Sequence, residues 1–215
     1  MVSLTHFGQQ YPHLDTSGRY LRMTRHIIMM AGWLILTGCV GTPTPSERYT
    51  LPGPEHVETA GADTDQVLLI DSLTLAGYLD SDGIVLQLDE LRLNEARQHR
   101  WAERLDRQLE RGLRQRLATT LEDTRITMDA DDTRASDTVT HLRITIDRFQ
   151  GDHRGYAIAS GQWQLHDEDD RLVMARSFDE RTELTSDGYA ALVRALGQSW
   201  DRVGKAIATA VREMR

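Results

Sequence analysis

The sequence predicts an α+β domain: a largely antiparallel sheet with two long helices packed on one face. Three observations carry this. Apolar residues alternate with polar ones in several stretches, before and after a helical segment. Three of the later stretches are joined by short turns and read as an antiparallel meander. Two long segments instead repeat apolar residues at helical spacing.

Val67 to Leu75 is β-rich and reads as a buried strand. Tyr78-Leu79-Asp80-Ser81-Asp82-Gly83 reads as a turn, and Ile84-Val85-Leu86-Gln87-Leu88 as the next strand. Ile84, Leu86 and Leu88 share one parity while Leu91 and Leu93 have the other. Side chains alternate faces along a strand, so a bulge or bend is expected near Asp89-Glu90.

From Arg97 to Leu121 the period becomes helical, with Trp101, Leu105, Leu109, Leu113, Leu117 and Leu121 in every fourth position. Four residues overshoot one turn, so the stripe precesses by about 40° per step and winds around the helix. Arg104, Arg107, Glu110, Arg111 and Arg114 form its solvated side.

A short strand is expected around Arg125 to Met128. The meander follows: Leu142, Ile144 and Ile146; then Ala157, Ala159, Gly161, Trp163 and Leu165; then Leu172, Met174 and Phe178. Its turns are Gly151 to Gly155 and the acidic His166-Asp167-Glu168-Asp169-Asp170. The last helix, about Asp187 to Met214, places Tyr189, Leu192, Val193, Leu196, Trp200, Val203, Ile207, Val211 and Met214 at spacings of three and four. Gly197 and Gly204 lie on or near that stripe and admit a close crossing.

The N-terminal part has a different character. Cys39 is the only cysteine, and Leu36, Thr37, Gly38 and Cys39 fit a bacterial lipobox behind the short apolar run Ile27 to Leu36. That run is well below the roughly 20 apolar residues a spanning helix needs. Arg19, Arg22 and Arg25 supply the basic flank of a secretory signal. Residues 1–38 are therefore expected to be a cleaved signal, with Met23 an alternative start and the preceding residues an extension outside the protein. Cleavage would leave Cys39 acylated; two or three acyl chains hold firmly where one holds marginally. Val40 follows, with no aspartate to retain the protein at the inner membrane, which points to the periplasmic face of the outer membrane of a Gram-negative bacterium. Residues 39–66, rich in Pro, Gly, Thr and Ser, read as a lipidated tether. Within the tether, Arg48-Tyr49-Thr50-Leu51-Pro52 has the apolar weight to dock on the domain, which is expected over residues 67–215.

The net charge of −8 falls to about −10 when Arg19, Arg22, Arg25 and Asp15 leave with the signal. An acidic chain of this kind does not suit nucleic acid. With Cys39 acylated no thiol remains for a disulfide, so stability rests on packing. Lys205 is the sole lysine, a matter of base composition.

No catalytic signature is present: no nucleophile elbow, no His-Glu-x-x-His, no Walker loop and no dinucleotide fingerprint. The chain reads as a non-enzyme without cofactor or metal. The acidic turn at His166 to Asp170 has the oxygens a calcium ion wants, but adjacent carboxylates at a hairpin tip are ordinarily solvated. The Asp80-Ser81-Asp82-Gly83 run has its glycine too early for a calcium loop. His141 and His153 read as surface residues. Trp101, Trp163 and Trp200 fall on apolar faces. The sequence leaves two roles open for them: core packing, or a partner or subunit contact shared with Tyr49, Leu51 and Tyr78.

Taken together, the lipobox, the Tyr49-Thr50-Leu51 segment, Tyr78-Leu79-Asp80 and Arg100-Trp101-Ala102-Glu103-Arg104-Leu105 resemble the paraquat-inducible protein C (PqiC/YmbA-type) lipoproteins, an ABC-type transport auxiliary family. The likeness covers nearly all of the mature chain. Ser81-Asp82-Gly83 departs from the family's Arg-Pro type of turn, and Arg104 stands where proline is frequent. The resemblance implies a non-enzymatic docking or structural part of an intermembrane phospholipid transport system. It implies that the lipoprotein meets the distal end of a periplasmic tunnel of MCE domains, as a homo-oligomeric ring. An assembly factor for an outer-membrane β-barrel is the alternative reading, and an anchored hydrolase or metal-binding protein a third.

Overall fold

The computed structural model describes residues 45–53 and 64–214. Met23, Leu36, Thr37, Gly38, Cys39 and most of the tether lie outside the described residues. The strands are β1 Glu47–Tyr49, β2 Gln66–Leu75, β3 Gly83–Gln87, β4 Leu93–Trp101, β5 Arg125–Thr127, β6 Thr138–Asp152, β7 Tyr156–His166 and β8 Leu172–Glu183. The helices are α1 Leu105–Thr120, between β4 and β5, and α2 Tyr189–Glu213 at the end.

All of these strands join one mixed sheet with β6 as its spine. Along one side of β6 runs β7, antiparallel, and then β8. Along its other side β2 and β3 follow one another, both parallel to β6. β5 extends β2 in parallel, β4 extends β3 in antiparallel, and β1 lies parallel on the end of β4. The α+β class is as expected, and the β6–β7–β8 meander is antiparallel. The largely antiparallel sheet is not: four of the pairings, β1–β4, β2–β5, β2–β6 and β3–β6, are parallel. Alternation reports which faces a strand buries but not the direction of its partner. The partner of β2 arrives only after a crossover through α1. Its run Val67-Leu68-Leu69-Ile70 is buried on both faces, which is how a central parallel strand reads.

One further expectation is corrected. Arg97 to Trp101 is strand, not helix, because Arg100 and Trp101 pair with Arg48 and Tyr49. Trp101 stands four residues before Leu105 and so imitates a helical stripe. The bend expected near Asp89-Glu90 is the hairpin turn between β3 and β4. Asp89 accepts hydrogen bonds from the Leu91 and Arg92 amides at 3.0 and 2.8 Å, and the Leu88 amide closes on Arg92 O at 2.9 Å.

The last helix packs on β6, β7 and β8 and the first on β2 and β5, and both close one core with Leu142, Ile144, Ile146, Ala159, Trp163 and Leu165. The stripe Leu105, Leu109, Leu113, Leu117 and Leu121 is buried throughout, as are Leu196, Val203, Ile207 and Val211 of α2. Each such leucine or isoleucine contributes roughly 1.5–3 kcal/mol over exposure.

Candidate functional site

Among the described residues, the segments that carry the family resemblance, Tyr49-Thr50-Leu51, Tyr78-Leu79-Asp80 and Arg100 to Leu105, converge in space. β1 lies on the end of β4, and the Ala102 amide donates to Tyr49 O at 2.8 Å. The Tyr49 hydroxyl donates to Glu47 and lies 3.1 Å from His99 Nδ1. His99 in turn stacks on Tyr189 at the start of α2, ring centroids 4.0 Å apart. Burial first, then the Glu47 carboxylate, pushes the Tyr49 pKa up to about 12. Beyond Tyr49, the Leu51 amide donates to Gln108 Oε1 at 2.8 Å, and Gln108 Nε2 donates to Glu103 O at 2.8 Å. Gln108 is a buried polar residue of α1, and both halves of its amide are used, which is the condition for burying one. Glu47, His99, Gln108 and Tyr189 were not singled out from sequence. A glutamine inside a leucine stripe was the available signal.

The Tyr78-Leu79-Asp80 turn bridges the gap between β2 and β3. Its 3₁₀ turn, Gly77–Leu79, lies beside an irregularity in β6 between Ile146 and Arg148. The Tyr78 hydroxyl donates to Asp147 O at 2.8 Å, with Gln150 Oε1 at 2.7 Å sharing the same proton. Burial raises the Tyr78 pKa, with the nearby Arg148 opposing. Leu79 is buried in the core. Asp80 and Asp82 reach across to the other motif: Arg104 lies 3.2 Å from Asp80, and Arg100 is 2.6 Å from Asp82. The Trp101 amide also donates to Asp82 O at 2.7 Å. The two departures from the family pattern, at Asp82 and Arg104, thus each make an ion pair with the neighbouring motif. All four side chains are substantially exposed, so each pair contributes about 0–1 kcal/mol.

The three tryptophans among the described residues are buried in the core. Trp101, Trp163 and Trp200 are 3%, 2% and 5% exposed, the core-packing role of the two the sequence leaves open. Trp200 Nε1 donates to Leu109 O at 3.0 Å and ties α2 to α1. Phe149 lies edge-on to Trp200 and tilted to Trp101. Of the expected contact residues, Tyr78 is exposed and Tyr49 and Leu51, in the docked segment, are half-buried.

A cleft of about 480 Å³ opens between the helices, lined by Pro52, Gly112, Arg116, Gly197, Trp200 and Asp201 among others. Its charges are already paired: Arg116 with Asp201, and Lys205 with Asp201 at 3.1 Å. The expected close crossing occurs at Gly204, where a Cβ would meet Arg116 Cγ at 2.8 Å. Gly197 instead receives Pro52.

The acidic turn spends its carboxylates on itself. Asp167 accepts from the Asp169 and Arg171 amides at 3.0 and 2.9 Å, Asp169 pairs with Arg171, and Asp170 with Arg143. His166 is buried with Gln164 and the Asp170 carbonyl for neighbours. His141, expected to be a lone surface residue, lies 2.9 Å from Asp71. Among the described residues no group of three metal-ligating side chains comes together.

Comparisons with known proteins agree with this geometry. A family described as "ABC-type transport auxiliary lipoprotein component" matches residues 49–208, from the docked strand β1 into the last turns of α2. The Escherichia coli (strain K12) Intermembrane transport lipoprotein PqiC is 27% identical over 192 residues, covering 86% of this chain and all of its own length. The Shigella flexneri protein of the same name matches equally. A solved structure described only as an uncharacterized protein superposes with a TM-score of 0.67 at 24% identity, over 78% of this chain and 99% of its own. A Xanthomonas campestris protein gives 0.56 at 19% identity, over 76% and 90%. These two bear on the fold alone. By the span of the family match, this chain belongs to the ABC-type transport auxiliary lipoprotein components.

Proposed function

We propose that the chain is a lipoprotein anchored through Cys39 to the periplasmic face of the outer membrane, where it docks and braces a system moving phospholipid between the two membranes. The carrying observation is its end-to-end likeness to an intermembrane transport lipoprotein. The geometry supports a structural rather than a chemical role. The family motifs spend their polar groups on fastening β1, the Gly77–Leu79 turn and the start of α1 to one another. Such fastening suits a part that transmits position between a membrane anchor and a partner. The partner in this reading is an MCE-domain tunnel protein, with copies of the lipoprotein forming a ring at its distal end.

The test is in-cell crosslinking of the tagged protein at native abundance, followed by mass spectrometry of captured partners. Recovery of an MCE-domain protein is the expected outcome. Recovery of an outer-membrane β-barrel alone would replace the transport reading with an assembly role.

A further inference from the structure

One end of the sheet carries apolar side chains that the fold leaves uncovered. The β3–β4 turn exposes Leu88, Leu91 and Leu93, at 41%, 94% and 46%. β3 ends beside β6, Gln87 against Asp152 in parallel, so the β6–β7 turn stands at the same end. That turn adds exposed Tyr156, and Arg154 beside it. Of the charges here, Asp89 is held by Arg92 at 2.5 Å and Asp152 by Arg154 at 2.9 Å, while Glu90 faces Arg154 without an ion pair.

The direction of β1 says what this end faces. β1 is parallel to the last residues of β4. Traced backwards from Tyr49 to Glu47, β1 points the way β4 comes from, towards the side of the β3–β4 turn, with an irregularity of β4 between Glu95 and Arg100 in between. An extended chain spans at most about 3.6 Å per residue. Eight residues of sequence separate Cys39 from Glu47, a reach of about 29 Å at most for an extended chain.

From this we infer that the β3–β4 turn is a membrane contact: Leu91, flanked by Leu88 and Leu93, enters the interface of the leaflet that holds the acyl chains. The inference rests on acylation of Cys39. A single leucine binds a bilayer weakly, but an acyl anchor makes its insertion an intramolecular event at high effective concentration. Arg92 and Arg154 then lie at headgroup level, where long basic side chains keep their charge in water.

The test uses the full chain, processed in cells and reconstituted into vesicles of phosphatidylethanolamine and phosphatidylglycerol. With Cys39 acylated, a cysteine introduced by Leu91→Cys is the sole free thiol and accepts an environment-sensitive fluorophore. The control is Leu172→Cys, exposed at the turn between β7 and β8 on the opposite end of the sheet. Blue-shifted emission, strongly quenched by nitroxide lipids at position 91 and not at 172, is the expected result. An acylated protein that floats with the vesicles but is unquenched at position 91 overturns the contact and leaves the anchor standing. Intact mass showing no acyl chain on Cys39 overturns both.

Discussion

Pro52 sits against Gly197 so closely that a Cβ on residue 197 would lie 2.6 Å from Pro52 Cγ. The contact fastens the segment that leads from the tether onto α2, in the middle of a helix where glycine otherwise costs about 1 kcal/mol relative to alanine. Gly197→Ala therefore has two opposed effects. The helix gains propensity, and the docked segment is pushed off at about 1–3 kcal/mol. Global stability should fall by about 0–2 kcal/mol. Exchange of the Leu51 amide, bonded to Gln108, should accelerate about tenfold. Unchanged exchange would mean that Pro52 does not rely on the missing side chain.

The same docked segment responds to alkali. Tyr49 has its pKa pushed up to about 12 by burial and by Glu47, against about 10 when unfolded. A raised folded pKa means the contribution is complete below the unfolded value and is lost as pH rises through the folded one. The docking of β1 should thus be intact at pH 9 and disappear between about pH 10 and 12. Absorbance titration of tyrosinate should reveal a late-titrating group that Tyr49→Phe removes.

Gly161 answers to a different constraint. It pairs with Ile146 and Phe178 in the middle of β7, and a Cβ there would meet Thr145 O at 2.1 Å. That neighbour is backbone in a central ladder and cannot yield as the tip of a flexible side chain can. Gly161→Ala should destabilise by about 3 kcal/mol or more, in the upper range for overpacking. Urea unfolding with an unchanged midpoint would contradict the strand register.

The elements were largely legible because their signals are local. The leucine stripe of α1, the long stripe of α2 and the alternation of β6 and β7 all report burial directly. Strand direction was not legible, since β2 meets β6 only after α1 has intervened, and parallel partners leave no mark on alternation. Trp101 misled because a four-residue step before Leu105 looks the same in a strand that runs into a helix. The candidate site was half legible. Tyr49 and Leu51 are visible as apolar weight in a polar stretch and Tyr78 through the family motif it opens, whereas Gln108 and His99 matter through partners distant in sequence.

Trp200 separates core from contact. Trp200→Phe keeps most of the buried ring and removes the hydrogen bond to Leu109 O. About 0.5–1.5 kcal/mol should be lost for the bond, with a smaller loss for the reduced volume. Capture of the transport partner should be unaffected. Reduced capture at unchanged stability would return Trp200 to the surface contacts.

Anchoring through Cys39 and the transport role are tested together by complementation. Cells lacking the protein should show slowed exchange of labelled phospholipid between inner and outer membranes, restored by the wild-type chain. Cys39→Ser, produced at equal abundance and folded, should leave the membrane fraction and fail to restore exchange. Full restoration by Cys39→Ser, with the protein still fractionating with the outer membrane, would contradict the account.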